Sequence, residues 1–465
     1  MILRQHAEAI WRAGVTAVDS ASAVRHHIQC SAESLRIAQV ELPLQDIGQI
    51  EIIGAGKAGA GMAEGIESVL LECLPPTQFS GWVNVPADCV RPLQRIHLHA
   101  ARPAGINEPT SVGVEGTVEI LRRAGRLTSR DVCIVLLSGG ASALLCSPVP
   151  EITLADKLAV TRALAASGAP IHELNLVRTQ LSQVKGGKLA AACHARILIS
   201  LIISDVIGDP LEVIGSGPTV PTSSKAQEAI DILNRRQLSQ RLPESVMKFL
   251  SSQRSSNIAM TATTPVHNVV VASNSLAIEA AAIRARQLGY QVQSLGSANA
   301  GDAAAEGRHL MQQMLSARSE NTTQDAKPLC ILSGGEPTVQ LNSLLAGTHP
   351  ETQAGSQILP KGGRNQELVL AAMAEFPNPS SWQGLAMLSG GTDGEDGPTD
   401  AAGAFCDEAL ICRMAEKKID PASFLARHNS YYFFDALDGL LRTGPTHTNV
   451  MDLRVALVQN HACGN

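Results

Sequence analysis

The 465-residue chain predicts an α/β protein of two domains with largely parallel sheets. A single hydrophobic core stops growing near ~250–300 residues, so a chain of this length divides into domains. Hydrophobic residues make up 45% of the chain but aromatic residues only 3%, which favours a core of Leu, Val, Ile and Ala over an aromatic-rich β-sandwich. Short apolar runs are repeatedly followed by a glycine-rich turn and a helical pattern, which is typical of parallel strands buried on both faces.

Six short apolar runs are the predicted strands of these sheets. Each is followed by a turn rich in Gly, Ser, Asp or Asn. Parallel strands end at one edge of their sheet, and α/β proteins bind ligands in the crevice outside those ends. The turns that follow the strands are therefore the candidate site. The predicted strands are Ile50–Ile53, Val132–Leu137, Ile197–Ile203, Val269–Ala272, Leu329–Leu332 and Gly384–Leu388.

A polar stretch rich in Ser and Thr, residues 251–264, predicts the domain boundary. We expect a Rossmann-like N-terminal domain over residues 1–262 and a second α/β domain over residues 263–465. A further irregular segment, residues 341–363, is longer than an ordinary connection, and segments of that length are usually functional or mobile.

Charge and hydropathy exclude several classes of function. The formal net charge is −6, so a broad cationic surface for nucleic acid or anionic lipid is not expected. No run of about 18 uncharged apolar residues predicts a membrane span. The N-terminus is typical of an amphipathic helix, with Ile10, Trp11 and Val15 on one face, and not of a signal peptide. We expect a cytoplasmic protein that acts on small molecules.

The ten cysteines lack the spacings of metal ligands and of redox pairs. No two of them form CxxC, and several lie inside apolar runs, as Cys133 does in Val132–Leu137. We expect the cysteines to be small buried hydrophobic residues in a reducing compartment.

The turn after the first strand, Gly54–Gly59, matches the GxGxxG pattern of dinucleotide-binding proteins. Lys57 inside the turn, and the lack of an acidic residue in the next apolar segment, argue against a dinucleotide. Gly54, Gly56 and Lys57 suit a phosphate instead, because glycine N–H groups, a helix N-terminus and an ammonium group all favour an anion. A tight turn with a solvated lysine is the alternative.

The tetrapeptide Leu-Ser-Gly-Gly occurs three times, at Leu137–Gly140, Leu332–Gly335 and Leu388–Gly391. Each copy lies at the end of a predicted strand. Consecutive N–H groups at such glycines can form an anion nest, and the serine adds a hydroxyl group. The residues that we predict to bind ATP or phosphate here are Ser138, Gly139, Gly140, Ser142, Gly334, Gly335 and Glu336.

Four aspartates that follow predicted strands are candidate metal ligands. Asp205 and Asp209 flank a glycine, and Asp393 and Asp396 lie in an acidic glycine-rich loop. Carboxylates at such positions hold a divalent metal or orient a hydroxyl group, and Asp205 is also a candidate catalytic residue. A cap of a helix or turn is the alternative.

Cations near glycine pairs are candidate substrate ligands. Asn175, Arg178 and Lys185 precede Gly186 and Gly187, and such a basic loop suits a carboxylate or a phosphate. Arg364 opens a predicted helix, where its guanidinium can bind an anion bidentately. Solvated helix cations are the alternative. Glycine nests, cations and loop carboxylates together are what phosphoryl transfer requires, namely positioning and charge neutralisation.

The order of these motifs resembles that of the type II glycerate kinases, which carry a C-terminal MOFRL domain. The resemblance covers residues 50–456. The motifs that carry it are Gly54–Ala58, Leu137–Ser142, Asn175–Arg178, Leu181–Ser182, Lys185–Gly187, Ser204–Pro210, Ser216–Thr219, Leu332–Pro337, Gly363–Glu367, Leu388–Gly403, Thr443–Thr446 and Thr448–Val450.

This resemblance implies ATP-dependent phosphorylation of D-glycerate to 2-phosphoglycerate with Mg²⁺. It also implies an active site in the cleft between two α/β domains. The family's proposed catalytic lysine corresponds to Lys57 and its proposed catalytic arginine to Arg364. Glycerate and ATP are the expected partners, and a homodimer is left open.

Three alternatives stay open at this stage. The same kinase could form 3-phosphoglycerate, because the two hydroxyl groups of glycerate are neighbours. The GxGxxG match could instead belong to a nicotinamide-dependent hydroxy-acid oxidoreductase. A relative without activity is the third alternative, although Lys57 and Arg364 are both present.

Overall fold

A computed structural model describes residues 2–103, 106, 108–253, 263–320, 327–340 and 360–459. The chain divides into two compact units. We call Ser20–Ala272 the central unit, and Met1–Asp19 together with Ser273–Asn465 the terminal unit. Residues 254–262, where the sequence predicts the domain boundary, and residues 341–359 lie outside the described part of the chain.

Helices and strands alternate along most of the described chain. The helices are α1 (Ile2–Ala17), α2 (Ser20–His26), α3 (Gly59–Cys73), α4 (Ser111–Arg126), α5 (Ala141–Leu144), α6 (Leu154–Ala166), α7 (Ile171–Gln180), α8 (Lys188–Ala191), α9 (Ala226–Arg235), α10 (Glu244–Ser252), α11 (Asn274–Gln287), α12 (Ala303–Glu320), α13 (Arg364–Glu375), α14 (Pro379–Trp382), α15 (Glu408–Glu416), α16 (Pro421–Ala426) and α17 (Ser430–Leu437). The strands are β1 (Ile28–Cys30), β2 (Ser34–Ile37), β3 (Val40–Pro43), β4 (Ile50–Ala55), β5 (Phe79–Pro86), β6 (Ile96–Arg102), β7 (Val132–Leu137), β8 (Ile197–Ile203), β9 (Val266–Ala272), β10 (Gln291–Ser294), β11 (Leu329–Gly335), β12 (Leu385–Gly391), β13 (Gly403–Asp407), β14 (Leu440–Leu441) and β15 (Asp452–Val458).

The main sheet of the central unit is parallel throughout, in the order β6-β5-β4-β7-β8-β9. This is the strand order of a Rossmann fold, and the direction of winding reverses between β4 and β7. Both strands are buried along their whole length, as their unbroken apolar runs predict. The predicted α/β class and the Rossmann-like character of this unit are thus confirmed, and β7 and β8 have the predicted bounds.

The sheet of the terminal unit has the order β10-β11-β15-β12-β13-β14 and is mixed. Strands β10 and β11 are parallel, whereas β15 runs antiparallel between β11 and β12. Because β15 runs in the opposite direction, its first residue, Asp452, lies opposite Gly335 of β11 and Gly391 of β12. The ends of two Leu-Ser-Gly-Gly motifs therefore flank one buried aspartate.

The division into units differs from the predicted one at both ends of the central unit. Strand β9 joins the central sheet through β8, so that unit extends to Ala272 and not to residue 262. Helix α1 belongs to the terminal unit, where it packs against α11 and β12. Its predicted apolar face is confirmed, because Ile10, Trp11 and Val15 are buried.

The cysteine prediction is wrong for Cys30 and Cys73, which form a disulfide between the end of β1 and the end of α3. These two residues are 43 positions apart, and their proximity arises only from the packing of α3 beside β1. Most other cysteines of the described residues are buried, as expected, and Cys89 and Cys412 are half-buried. Cys463 lies outside the described residues.

Among the helices of the described residues, none combines the length and the apolar character needed to cross a membrane.

We predict that Trp11 holds α1 on the terminal unit. Its side chain is almost fully buried, and its Nε1–H donates to the Gly390 carbonyl oxygen at 3.3 Å. Trp11→Ala should lower the free energy of unfolding by about 3–5 kcal/mol, because it leaves a large cavity. Urea unfolding followed by circular dichroism measures this change. Trp11→Phe keeps most of the volume and should lose less than half as much; equal losses for the two variants would contradict the cavity argument.

Candidate active site

The turn after β4 requires glycine at two positions. A Cβ atom on Gly54 would lie 2.2 Å from the Leu136 carbonyl oxygen of β7. Gly56 has φ +152°, and a Cβ atom there would lie 2.0 Å from the Ser138 Oγ. Gly54 is therefore needed where β4 packs against β7, and Gly56 where the turn after β4 approaches the turn after β7.

Hydrogen bonds join these two turns. The Lys57 N–H donates to the Gly139 carbonyl oxygen at 2.8 Å, and the Ala58 N–H donates to the Ser138 Oγ at 3.0 Å. The N–H groups of Gly139 and Gly140 donate to no backbone acceptor in the part of the chain that the structure describes. These N–H groups can donate hydrogen bonds to an anion, whereas the buried Ser138 side chain accepts from the Ala58 N–H and holds the turns together.

Lys57 and Arg102 both lie beside Gly140. Gly140 has φ +78°, and a Cβ atom on it would be 3.4 Å from the Lys57 Cγ and 3.3 Å from an Arg102 Nη. Arg102 ends β6 and is buried. Burial lowers its pKa, against the opposing effect of Asp88. The sequence analysis did not assign Arg102, although a cation at the carboxyl end of a strand was the available signal.

The predicted substrate ligands of the central unit come together around Ser142. The Lys185 ammonium donates to the carbonyl oxygens of Ser142 (3.3 Å) and Gly215 (3.2 Å), and to the Ser216 Oγ (3.1 Å). Arg178 donates to the same Ser142 carbonyl oxygen at 3.4 Å. Asn175 accepts a hydrogen bond from the Ser216 Oγ at 3.2 Å.

This cluster brings two basic side chains together without a carboxylate partner among the described residues. Lys185 is fully buried, and burial holds its pKa well below the usual range of a lysine, reinforced by the nearby Arg178. Burial also lowers the pKa of Arg178. Neither cation forms an ion pair with a carboxylate among the described residues. The arrangement suits an incoming anion, since the acceptors already in place are neutral oxygens.

Asp205 and Asp209 lie in the turn after β8 and are half-buried. Asp209 has φ +54°, and its N–H donates to the Val206 carbonyl oxygen at 3.1 Å, which closes the turn. Two partly exposed carboxylates at the carboxyl edge of the parallel sheet could hold Mg²⁺, which commonly binds through one or two carboxylates.

In the terminal unit, Arg364 is held by two carboxylates. It is the first residue of α13, and its Nε and Nη2 donate to the two Asp452 oxygens at 2.7 and 3.0 Å. Its Nη1 donates to the Glu336 Oε1 at 2.7 Å. Burial opposes the charged form of Arg364, but Asp452 and Glu336 outweigh it and raise the pKa. The sequence analysis did not assign Asp452, because its place beside Gly335 depends on the antiparallel insertion of β15.

The second Leu-Ser-Gly-Gly copy serves close packing. The Gly334 N–H donates to the Gly296 carbonyl oxygen at 2.9 Å, and a Cβ atom on Gly334 would lie 1.7 Å from the Asn274 Oδ1. Gly335 has φ +131°, where most side chains are strained. The Gly334 N–H thus already has a backbone acceptor, and Glu336 forms an ion pair with Arg364. The predicted anion nest at Gly334, Gly335 and Glu336 stays a prediction.

Asp393 and Asp396 differ in their fitness as metal ligands. Both Asp396 oxygens accept backbone N–H groups at the start of α13, from Asn365 at 3.0 Å and from Gln366 at 2.8 Å. Burial raises the pKa of Asp396 to about 7, against the lowering effect of these donors. A metal at Asp396 would have to displace the helix cap, whereas Asp393 is half-buried beside Gly391. No group of three or more metal-binding side chains is formed among the residues in view.

Comparison with known proteins matches both parts of the chain. The family described as "Domain of unknown function (DUF4147)" matches residues 6–251, and the MOFRL family matches residues 329–452. The chain is 35% identical to a protein of Rattus norvegicus named glycerate kinase, over 98% of this chain and 93% of that protein.

Two further similarities extend this comparison. The chain is 38% identical to a protein of Agrobacterium vitis named putative hydroxypyruvate reductase, over 89% of this chain and all of that protein. A crystal structure of a glycerate kinase from Thermotoga maritima superposes with a TM-score of 0.81 and 28% identity, over 98% of this chain and 99% of that one.

We predict that Asp452, and not Glu336, anchors Arg364. Asp452 is fully buried and binds the guanidinium bidentately, whereas the Glu336 side chain is half-exposed. Removal of one partner of a buried ion pair costs about 3–5 kcal/mol, and the partial exposure of Arg364 reduces this to about 2–3 kcal/mol for Asp452→Asn. Glu336→Gln should cost less than about 1 kcal/mol. Thermal and urea unfolding compare the two variants, and the reverse order of stability would refute this assignment.

Proposed function

Because the chain belongs to the glycerate kinase family formed by DUF4147 and MOFRL domains, we propose that it transfers a phosphoryl group from ATP to the 2-hydroxyl group of D-glycerate, giving 2-phosphoglycerate and ADP. The observation that carries the proposal is the approach of Lys57 and Arg102 to Gly140, next to glycine N–H groups directed to no backbone acceptor among the described residues. Such an arrangement is an anion site at the point where the Rossmann sheet reverses its winding.

Phosphoryl transfer depends on positioning and on neutralisation of the charge that develops on the phosphate oxygens. Lys57 supplies a cation, and the Gly139 and Gly140 N–H groups supply donors that are held in place before any ligand binds. Donors preorganised in this way lower the barrier without reorganisation during the reaction. We assign the transferring phosphoryl group to these residues.

The Ser142 cluster supplies the second anion site of the central unit. Arg178 and Lys185 share the Ser142 carbonyl oxygen, and Asn175 is fixed by the Ser216 hydroxyl group. A carboxylate would replace neutral acceptors with a charged one, which strengthens hydrogen bonds from both cations. We therefore assign the carboxylate of glycerate to this cluster.

The terminal unit contributes Arg364 to the proposal. Its three ion-pair contacts fix the guanidinium and leave further N–H donors for a phosphate oxygen. Asp452 and Glu336 reduce its net charge, so we assign Arg364 a directional role in binding a phosphate oxygen more than a long-range electrostatic one.

Mg²⁺ is expected with ATP, and Asp205 and Asp209 of the central unit are carboxylates that fit it. Asp393 of the terminal unit is a separate candidate ligand. When bound, the ion would screen the charge of the phosphates. Asp205 would orient the acceptor hydroxyl group and take up its proton as the bond to phosphorus forms. Asp396 stays a helix cap in this proposal.

A nicotinamide-dependent hydroxy-acid oxidoreductase is the second candidate. The Rossmann strand order and the name of the Agrobacterium vitis protein favour it. Lys57 within the turn disfavours the binding of a dinucleotide. Strand β5 carries no acidic residue that could bind the ribose hydroxyl groups. The next acidic residue along the chain, Asp88, interacts electrostatically with Arg102. Oxidation of NADH by hydroxypyruvate, followed at 340 nm (the absorbance band of NADH), would establish this activity.

The cytoplasmic location and the homodimer stay predictions. The Cys30–Cys73 disulfide is more typical of an oxidising compartment, and it therefore speaks against the reducing environment that the cysteine pattern favours.

The first test is a coupled assay of ADP release with Mg-ATP and D-glycerate, with ³¹P NMR of the product. We expect ADP release that stops when EDTA removes Mg²⁺, and a 2-phosphoglycerate signal. A 3-phosphoglycerate signal would keep the kinase and overturn the assigned hydroxyl group. Folded protein that releases no ADP would overturn the kinase assignment for glycerate.

Lys57→Ala should lower kcat by about 10²–10³-fold, the usual effect of losing one preorganised donor to a developing charge. The thermal stability should change little, because the Lys57 backbone N–H that joins the two turns is kept in this variant. Lys248→Ala, an exposed lysine of the same unit, is the matched control. Near wild-type turnover by a folded Lys57→Ala protein would exclude the proposed role.

A further inference from the structure

Arg102 lies beside Gly140 in the central unit, but the proposed function assigns it no part in the reaction. It is the last residue of β6, so it lies at the carboxyl edge of the parallel sheet, where the turns after β4 and β7 begin. The residue is only 5% exposed. Because an arginine keeps its proton in proteins even where burial lowers its pKa, Arg102 brings a permanent positive charge to this edge.

The backbone at the end of β6 is irregular just before Arg102. The pairing of β6 with β5 passes from Ala100 directly to Arg102, so Ala101 is an extra residue in β6. An extra residue of this kind increases the local twist of a strand and changes the direction of the side chain beside it, and such irregularities are common next to active sites. Pro103 follows, and the residue before a proline is restricted to extended backbone.

Helix α4 holds this irregular backbone in place. Thr110 caps the helix by accepting a hydrogen bond from the Gly113 N–H at 3.0 Å, and its hydroxyl group donates to the Ala101 carbonyl oxygen. A Cβ atom on Gly113 would lie 3.0 Å from the same oxygen, so the helix packs closely there. The backbone that carries Arg102 is therefore fixed before any ligand binds, and a charge held in this way needs little reorganisation during a reaction.

The guanidinium of Arg102 reaches the Gly140 turn. Strands β5 and β4 lie between β6 and β7 in the sheet, so the side chain extends across the ends of these two strands. An Arg102 Nη lies 3.3 Å from the position of a Cβ atom on Gly140, and the Lys57 Cγ lies 3.4 Å from the same position. Two basic side chains thus approach one point, and a single phosphate group bound there can contact both.

We propose that Arg102 is a further phosphate-binding residue, which contacts the transferring phosphoryl group together with Lys57 and the Gly140 N–H. A guanidinium has five N–H donors in one plane, so one of them can bind a phosphate oxygen while others keep their contacts within the protein. Arg102 then shares with Lys57 the neutralisation of the charge that develops on the phosphate oxygens. The identification of this phosphate with that of ATP rests on the proposed function, whereas the anion site itself does not.

Steady-state kinetics supply the first test. Arg102→Gln should lower kcat by about 10²–10³-fold, the usual effect of losing one preorganised donor to a developing charge. KM for D-glycerate should change less than about 3-fold, because the glycerate carboxylate is assigned to the Ser142 cluster. Arg102→Lys keeps the charge and should retain more of kcat than Arg102→Gln. A folded Arg102→Gln protein with kcat within about 3-fold of the wild type would refute the role.

Arg95→Gln is the matched control for these variants. Arg95 immediately precedes β6, at the opposite end of the strand from Arg102, and its Nε donates to the Phe79 carbonyl oxygen at 3.3 Å. The control removes a half-buried arginine from the same strand without touching the carboxyl edge of the sheet. It should keep the kcat of the wild type.

A binding measurement that needs no turnover supplies the second test. Inorganic tripolyphosphate has the phosphate chain of ATP without the nucleoside, and its binding to the folded protein raises the Tm. This rise should fall to less than about half in Arg102→Gln and stay unchanged in Arg95→Gln. An arginine with a purely structural role predicts a lower Tm for Arg102→Gln with the full response to tripolyphosphate. Arg102→Met, which keeps an unbranched apolar stem, replaces the glutamine variant in both tests if that protein does not fold.

A double-mutant cycle tests whether Arg102 and Lys57 bind one phosphate group. Residues that contact the same group are coupled, so the combined variant Lys57→Ala with Arg102→Gln should lose less kcat than the product of the two single losses. A loss equal to that product would place the two side chains on separate groups and overturn the shared contact.

The two proposals fail in different ways. If tripolyphosphate raises the Tm of the wild type more than that of Arg102→Gln, while neither protein phosphorylates glycerate, the anion site stands and the kinase proposal fails. If both proteins phosphorylate glycerate with the same kcat and respond equally to tripolyphosphate, the kinase stands and the role of Arg102 is refuted.

Discussion

The pairing of β4 with β7 is the constraint on which the candidate site of the central unit depends. Their register places Ala55 opposite Leu137, so both turns begin at the same level of the sheet. The turns can then approach only because Gly54 and Gly56 have no side chains. This contact fixes Lys57 next to Gly140, and Gly140 in turn begins the short helix α5 that carries Ser142. The proposed phosphate site and the proposed carboxylate site are therefore neighbours along one stretch of backbone.

The two units differ in whether their buried basic side chains are paired with carboxylates. In the terminal unit, Arg364 is balanced by Asp452 and Glu336, so this network is complete without a ligand. In the central unit, Lys185 and Lys157 are buried with no carboxylate partner among the described residues. Ion pairs with all partners present hold a side chain in one orientation. Buried cations without a carboxylate partner favour the binding of an anion. The difference supports assigning selection of the anionic substrate to the central unit.

The sequence predicted those parts of the site that depend on local pattern. Strands β7 and β8 were predicted with the correct bounds because their apolar runs are unbroken. The structure gives Gly54 and Gly56 a role in close packing, and their role in binding phosphate stays a prediction. Asp452 was missed because its position depends on β15 pairing antiparallel with β11 and β12, which are distant in the chain. The Cys30–Cys73 disulfide was missed for the same reason.

Lys157 illustrates a signal that the sequence did contain. It occupies a position in the apolar repeat of α6, where a charged residue contradicts the pattern that buries Val160 and Leu164. A sequence that specifies one structure usually keeps such patterns consistent, and the exceptions concentrate at functional sites. A lysine in contact with solvent would need no explanation. Lys157 is buried instead, and burial of a charged group without a partner is unfavourable. Lys157 is therefore a position at which the helix pattern of α6 and the burial of the side chain conflict, and its Nζ has no hydrogen-bond partner among the described residues.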